Sequence, residues 1–138
     1  IVGSDAEKVT RLSAGEWNGS FCDEWAELKA GTAPKFGYWN IEAAATADYE
    51  VQLYLFPPES GVSLNGSFGP VPARPVAGAR LLLDGREFAQ STIPDSTHAR
   101  FEIRLQQSER HRIEGRLVDA NGQPLWGAIY LLIQSVHR

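Results

Sequence analysis

Apolar and polar residues alternate with a period of two along most of residues 38–133. Successive side chains of a strand point to opposite faces of a sheet, so this period predicts strands. The densest case runs from Tyr38 to Glu59. Trp39, Ile41 and Ala43 share one face, and Tyr38, Asn40 and Glu42 the other. After a short polar link, Tyr49, Val51, Leu53 and Leu55 alternate with Glu50, Gln52, Tyr54 and Phe56. Pro57 and Pro58 end the second run, because proline has no N–H to give a ladder. The two runs are expected to pair as a central hairpin with one apolar face. A hairpin alone is marginal in water, so the rest of the chain must supply a second layer.

The same pattern continues downstream. Ala79, Leu81 and Leu83 form one face, Asp84-Gly85 signals a two-residue type I′ turn, and Arg86 to Ala89 returns. Phe101, Ile103 and Leu105 alternate with Arg100, Glu102 and Arg104, and Ile113, Gly115 and Leu117 with Arg112, Glu114 and Arg116. Asn121-Gly122 marks a further turn, and Ile129 to Ile133 is apolar throughout, as in a strand covered on both faces. Upstream, Val9 and Leu12 suggest a strand, residues 13–24 a loop, and Trp25 to Leu28 a strand or one helical turn. A Pro/Gly-rich loop is expected at about 57–75, partly ordered by Val62, Leu64 and Phe68. Some seven to nine short strands without a convincing helix predict an all-β fold, a single antiparallel β-sandwich or jelly-roll-like domain over residues 1–138.

Composition narrows the function classes. The net charge is −4, with 4 basic and 10 acidic side chains in residues 1–60 and 9 basic, all arginine, against 7 acidic in 61–138. That sign argues against nucleic-acid binding, which needs a basic footprint. No run approaches the roughly 18 apolar residues of a membrane span, and no signal peptide is visible. The lack of methionine suggests that residue 1 is not the native start. A single cysteine, Cys22, excludes an internal disulfide.

Chemistry-bearing motifs are sparse. His98, His111 and His137 stand at no metal-ligand spacing, so neither metal nor cofactor is expected. No nucleophile elbow, P-loop or dinucleotide fingerprint is present. Glu42, Glu50, Glu102 and Glu114 fall on polar strand sides and read first as solvated, although two carboxylates meeting in the fold would suit a hydrolase. The aromatic residues say more. Trp39 belongs to the core face. Trp17 and Trp25, in or beside a loop, can plug the sandwich end or offer a flat ring to a sugar. Tyr38 and Tyr54, on the polar side of neighbouring strands, can pair or form a platform. Trp126, near a turn after Pro124, is expected to be partly exposed. Arg100, Arg104, Arg112 and Arg116 share the outer side of two consecutive strands; Glu102 and Glu114 lie between them and favour a neutralising ladder over an anion site. Asn18-Gly-Ser and Asn65-Gly-Ser fit the N-glycosylation sequon.

One family shares this order of motifs. Leu12 and Trp17, then Trp25, then Gly37-Tyr-Trp-Asn-Ile-Glu-Ala43, Tyr49 to Glu59, Ala79-Arg-Leu81, Phe101 to Leu105 and Ile129-Tyr130 resemble the C-terminal accessory region of bacterial arylsulfatase-type sulfatases. Tyr54, Leu55 and Phe56 stand where that region carries Arg-Arg-Trp. The formylglycine motif and the aspartate cluster for calcium are missing, so the resemblance carries over no sulfatase activity. It implies a non-catalytic accessory or binding module whose partner is a glycan or a sulfatase catalytic domain. Trp17, Trp25, Tyr38 and Tyr54 are the candidate ligand contacts, with Arg104 and Arg116 as anion contacts. The net negative charge disfavours a sulfated polysaccharide and points to weak binding of a neutral or lightly charged glycan. The alternative is a small self-associating structural protein, a homodimer joined through an exposed Tyr54-Leu55-Phe56 patch.

Overall fold

The computed structural model describes residue 2 and residues 9–18, 34–69, 71–92 and 95–136. Among these residues nine strands build two antiparallel sheets. They are β1 (Val9–Ser13), β2 (Trp39–Glu42), β3 (Ala47–Tyr54), β4 (Gly78–Leu83), β5 (Arg86–Ser91), β6 (Ala99–Leu105), β7 (Arg110–Val118), β8 (Pro124–Gly127) and β9 (Tyr130–Ser135). The first sheet has the order β1-β9-β3-β6 and the second β2-β7-β4-β5, with β8 also paired to β7. The β-sandwich read from the period-two pattern is therefore the fold, and helix among the described residues is confined to short 3-10 turns.

The core lies between the sheets. Tyr49, Val51, Leu53, Phe101, Ile103, Leu105, Leu131 and Ile133 face it from one side. Trp39, Ile41, Ala79, Leu81, Ile113, Leu117 and Trp126 face it from the other. Every inward register read from the sequence holds. The Asp84-Gly85 turn also holds: both residues have positive φ, 51° and 86°, as a type I′ turn requires, and Leu83 pairs with Arg86.

Three expectations are overturned. The Tyr38–Phe56 region is not a hairpin, because β2 pairs with β7 in one sheet while β3 pairs with β6 and β9 in the other. Its link, Ala43 to Thr46, lacks the Asn-Gly or Asp-Gly chemistry of a tight hairpin and arches across the core. The arch is pinned by the Tyr49 hydroxyl donating to the Ala45 carbonyl and the Gln107 amide donating to Thr46 Oγ1. Consecutive β6 and β7 likewise lie in different sheets, so Arg100 and Arg104 do not share a surface with Arg112 and Arg116. The Tyr54-Leu55-Phe56 patch is buried, with Leu55 1% and Phe56 2% exposed. The Pro/Gly-rich loop folds back over it. Phe68 meets Phe56 edge-on at 5.7 Å, Leu64 and Val71 are buried, the Leu64 amide donates to the Ser96 carbonyl, and Arg11 pairs with Glu59 at 2.8 Å. The surface argued to hold a homodimer together is thus internal.

Candidate functional site

Trp17 is a plug. It is 8% exposed, and its ring centroid lies 6.2 Å from that of Trp39. Trp39 is fixed in turn by its indole N–H, which donates to the Ser13 carbonyl at 2.8 Å. Glycine meets both ends of the Trp17 side chain. A Cβ on Gly37 would stand 2.4 Å from Trp17 Cγ, and one on Gly127 would stand 3.0 Å from Cη2. The indole therefore fills a slot that only bare backbone leaves open. Trp126 is internal too, at 1% exposure, against the expectation of partial exposure. It pairs in register with the inward residue Leu117, and the Arg74 guanidinium lies 5.8 Å from its ring. Trp25, Cys22 and His137 lie outside the described residues.

The outer face of the β2–β7–β4 sheet gathers two of the residues singled out from the sequence. Trp39 pairs with Ile113 and Leu83 with the same residue from the far side, which sets the outward rows. Phe36, Tyr38 and Asn40 run beside Arg116, Glu114 and Arg112, and these run beside Arg80, Leu82 and Asp84. The Arg112 guanidinium lies 3.6 Å from the Tyr38 ring centroid, and that of Arg116 lies 5.1 Å from Phe36. Arg116 pairs with Glu114, and Arg80 with Glu87 at 3.2 Å. Arg112 has no ion pair among the described residues and is exposed. Besides lying over Tyr38, Arg112 lines a depression of about 410 Å³ together with Leu82, Asp84, Gly85, Glu114 and Arg116.

Asp84 secures that residue from below. Its carboxylate accepts the Arg112 amide at 2.8 Å and lies 2.8 Å from Nδ1 of the buried His111. Partial burial opposes ionisation, yet these two partners outweigh it and hold the Asp84 carboxyl below its ordinary range. Sequence reasoning missed Arg112 and Asp84 as a unit. The Asp84-Gly85 turn was legible, but the pairing of β4 with β7 that sets Asp84 beside Arg112 leaves no mark in the sequence.

The remaining candidates lie on the outer face of the other sheet. Tyr54 is nearly buried, its hydroxyl donating to Gln52 Oε1 and its ring 5.0 Å from His98. Arg104 pairs with Asp48 at 3.3 Å, and Arg100 with Glu50. Glu50 also accepts from Gln134, the largest of the influences that hold its carboxyl below the ordinary range. A neutralising ladder exists here, with Asp48 and Glu50 of β3 as partners, and on the opposite face the expected Glu114 pairs with Arg116. Tyr54 and Arg104 are therefore on one face, and Tyr38 and Arg116 on the opposite one. Among the described residues no group of three or more His, Cys, Asp or Glu could hold a metal ion, and no helix is long and apolar enough to cross a membrane.

The sequence matches no protein-family model and no curated protein. Its fold matches solved structures. A CBM35, a family 35 carbohydrate-binding module, from Cellvibrio japonicus aligns with TM-score 0.53 and 12% identity over 94% of each chain. A Podospora anserina GH26-CBM35 β-(1,4)-mannanase aligns with TM-score 0.51 and 10% identity, covering 96% of this chain and 28% of that one. A ruminal GH26 endo-β-1,4-mannanase gives TM-score 0.52 and 10% identity, covering 94% and 26%. The chain thus spans about a quarter of the two mannanases. At these identities the likeness is one of fold. It overturns the sulfatase resemblance, because the matching structures are carbohydrate-binding modules and enzymes that contain the same fold. Many of the described motif residues, such as Trp39, Val51, Leu81 and Phe101, are inward strand residues at a spacing that unrelated sandwiches share.

Proposed function

We propose that this chain is a non-catalytic glycan-binding module, an accessory to a carbohydrate-active enzyme, and that it contacts its ligand through Tyr38, Asn40, Arg112 and Arg116. The observation that carries the reading is the Arg112 guanidinium, without an ion pair among the described residues, lying on Tyr38 and lining the depression between β7 and the β4–β5 turn. A ring covered on one side by arginine does not offer that side for sugar stacking. It holds a planar donor fork in place instead, and preorganised donors suit hydroxyl and ether oxygens. The fold shared with carbohydrate-binding modules supports this reading.

The ligand is a neutral or lightly charged polysaccharide, and β-1,4-mannan belongs in the first panel because two structural neighbours are described as mannanases. Affinity electrophoresis against mannan, xylan, cellulose and pectin tests it. Arg112→Ala should weaken retention about tenfold, the loss of one charge-assisted hydrogen bond. Unretarded migration on every polysaccharide would refute the reading.

A further inference from the structure

A second cleft opens on the flank of the sandwich, where β5, the edge strand of one sheet, approaches β6, the edge strand of the other. It encloses about 360 Å³, with Gln90, Ser91, Thr92, Ser96, His98 and Arg100 in its lining. Its character differs from that of the arginine-topped face in three respects. The side chains of Gln90, Ser91 and Thr92 have no partner among the described residues, so their amide and hydroxyls are available. Charge is cancelled: Arg100 Nε donates to Glu50, whose other oxygen accepts from Gln134. A flat ring is also present. His98 lies over Tyr54 with centroids 5.0 Å apart and planes at 34°.

The frame around these groups is fixed. Ser96 Oγ donates to the His98 carbonyl at 2.7 Å, and Thr97 Oγ1 lies 3.0 Å from His98 Nδ1. The Thr92 amide donates to the Ala77 carbonyl and the Leu64 amide to the Ser96 carbonyl. Burial lowers the His98 pKa, and Arg100 adds to this while Glu50 opposes it. The imidazole is then neutral at pH 7, and with Nδ1 against Thr97 its Nε2 is the ring nitrogen left for a ligand. A preformed, uncharged cleft with free hydroxyl and amide groups beside a ring has the makeup of a polyol site.

We propose that the cleft between β5 and β6 is a second binding site, specific for a neutral polyhydroxylated ligand such as one sugar of an uncharged polysaccharide. It shares only its ligand class with the proposed function and uses none of the same residues. For a neutral ligand long-range charge contributes at neither site, so the two are separated by which amides shift on titration and by the Arg112→Ala variant.

The test is titration of ¹H–¹⁵N spectra with β-1,4-mannohexaose. Amide shifts are expected at Gln90–Thr92 and Ser96–Arg100, and they should survive Arg112→Ala. Raising NaCl about tenfold should change the apparent affinity there less than about twofold. Thr92→Val keeps the side-chain shape and Gln90→Ala alters an exposed position; each should weaken cleft binding about five- to tenfold with spectral dispersion intact. Shifts confined to residues 36–40 and 110–116 would overturn the cleft and leave the Arg112 face standing. Shifts confined to the cleft would do the reverse. Unchanged affinity in both Thr92→Val and Gln90→Ala would also overturn the cleft.

Discussion

Replacing Gly37 by alanine is a sharp test of the account given for Trp17. The new Cβ would lie 2.4 Å from Trp17 Cγ and 2.6 Å from both Cβ and Cδ2. Rotating the indole gives no relief, because Trp17 Cβ is itself one of the colliding atoms. Either the two backbones separate or the ring leaves its slot. Overpacking usually costs about 1–3 kcal/mol, and complete loss of a buried tryptophan about 3–5. Alanine also restricts the unfolded chain, which returns about 0.4–1 kcal/mol. The net loss should be about 2–4 kcal/mol. Urea unfolding followed by far-UV circular dichroism measures it, with a midpoint lowered by about 1–2 M for an m-value typical of this size. A double-mutant cycle then locates the cause. Once Trp17→Gly has emptied the slot and removed the colliding Cβ as well, Gly37→Ala should cost less than about 1 kcal/mol. Full additivity, or a loss below about 1 kcal/mol for Gly37→Ala alone, would mean that the ring is not wedged there and remains available to a ligand.

Other outcomes follow from the same geometry. Trp39→Phe should cost about 1–2 kcal/mol and Trp39→Ala about 3–5, since the first mainly removes the bond to Ser13 and the second also empties the core site; similar losses for both in urea unfolding would contradict that division. Phe56→Ala should lower stability by about 3–5 kcal/mol at every protein concentration, whereas a patch at a dimer interface would give a concentration-dependent loss. Acid should destabilise the fold in two stages. His98 has a folded-state pKa below its unfolded value of about 6.5, so its contribution is full above that pH and lost as pH falls through the folded value. Glu50 and Asp84, also depressed, add contributions that are full above about pH 4.5 and disappear below it. A urea midpoint that rises between pH 7 and pH 4 would contradict this sign.

Period-two patterning revealed which residues face inward, since burial acts on each strand separately. It could not reveal which strands are neighbours. The Ala43–Thr46 link shows why: two adjacent amphipathic strands can pair side by side or face each other across a core, and both need the same apolar face. Turn chemistry decided correctly at Asp84-Gly85, where positive φ at two positions demands specific residues. It is silent at an alanine-rich arch held by Tyr49 and Thr46. The same ambiguity split the arginines between two surfaces. Tyr38 was legible as an outward ring on β2, but its cover, Arg112, comes from β7 and depends on that pairing. Tyr54 was misjudged as exposed because loops that pack back over strand ends leave no periodic trace, and Trp126 because the β7–β8 pairing that turns it inward leaves none either.

The place of β9 bears on how the chain is made. It lies between β1 and β3, pairing Leu131 with Leu12 on one side and Leu53 on the other. A ribosome delivers this strand after the other eight. Until it emerges, β1 and β3 each expose an unpaired edge, and such edges recruit other strands. The local hairpins β4–β5 and β7–β8 can form early, while the first sheet waits for closures spanning most of the sequence. Nascent chains stalled before Tyr130 should therefore depend on chaperones, and emergence of β9 should be the step that lets the first sheet close.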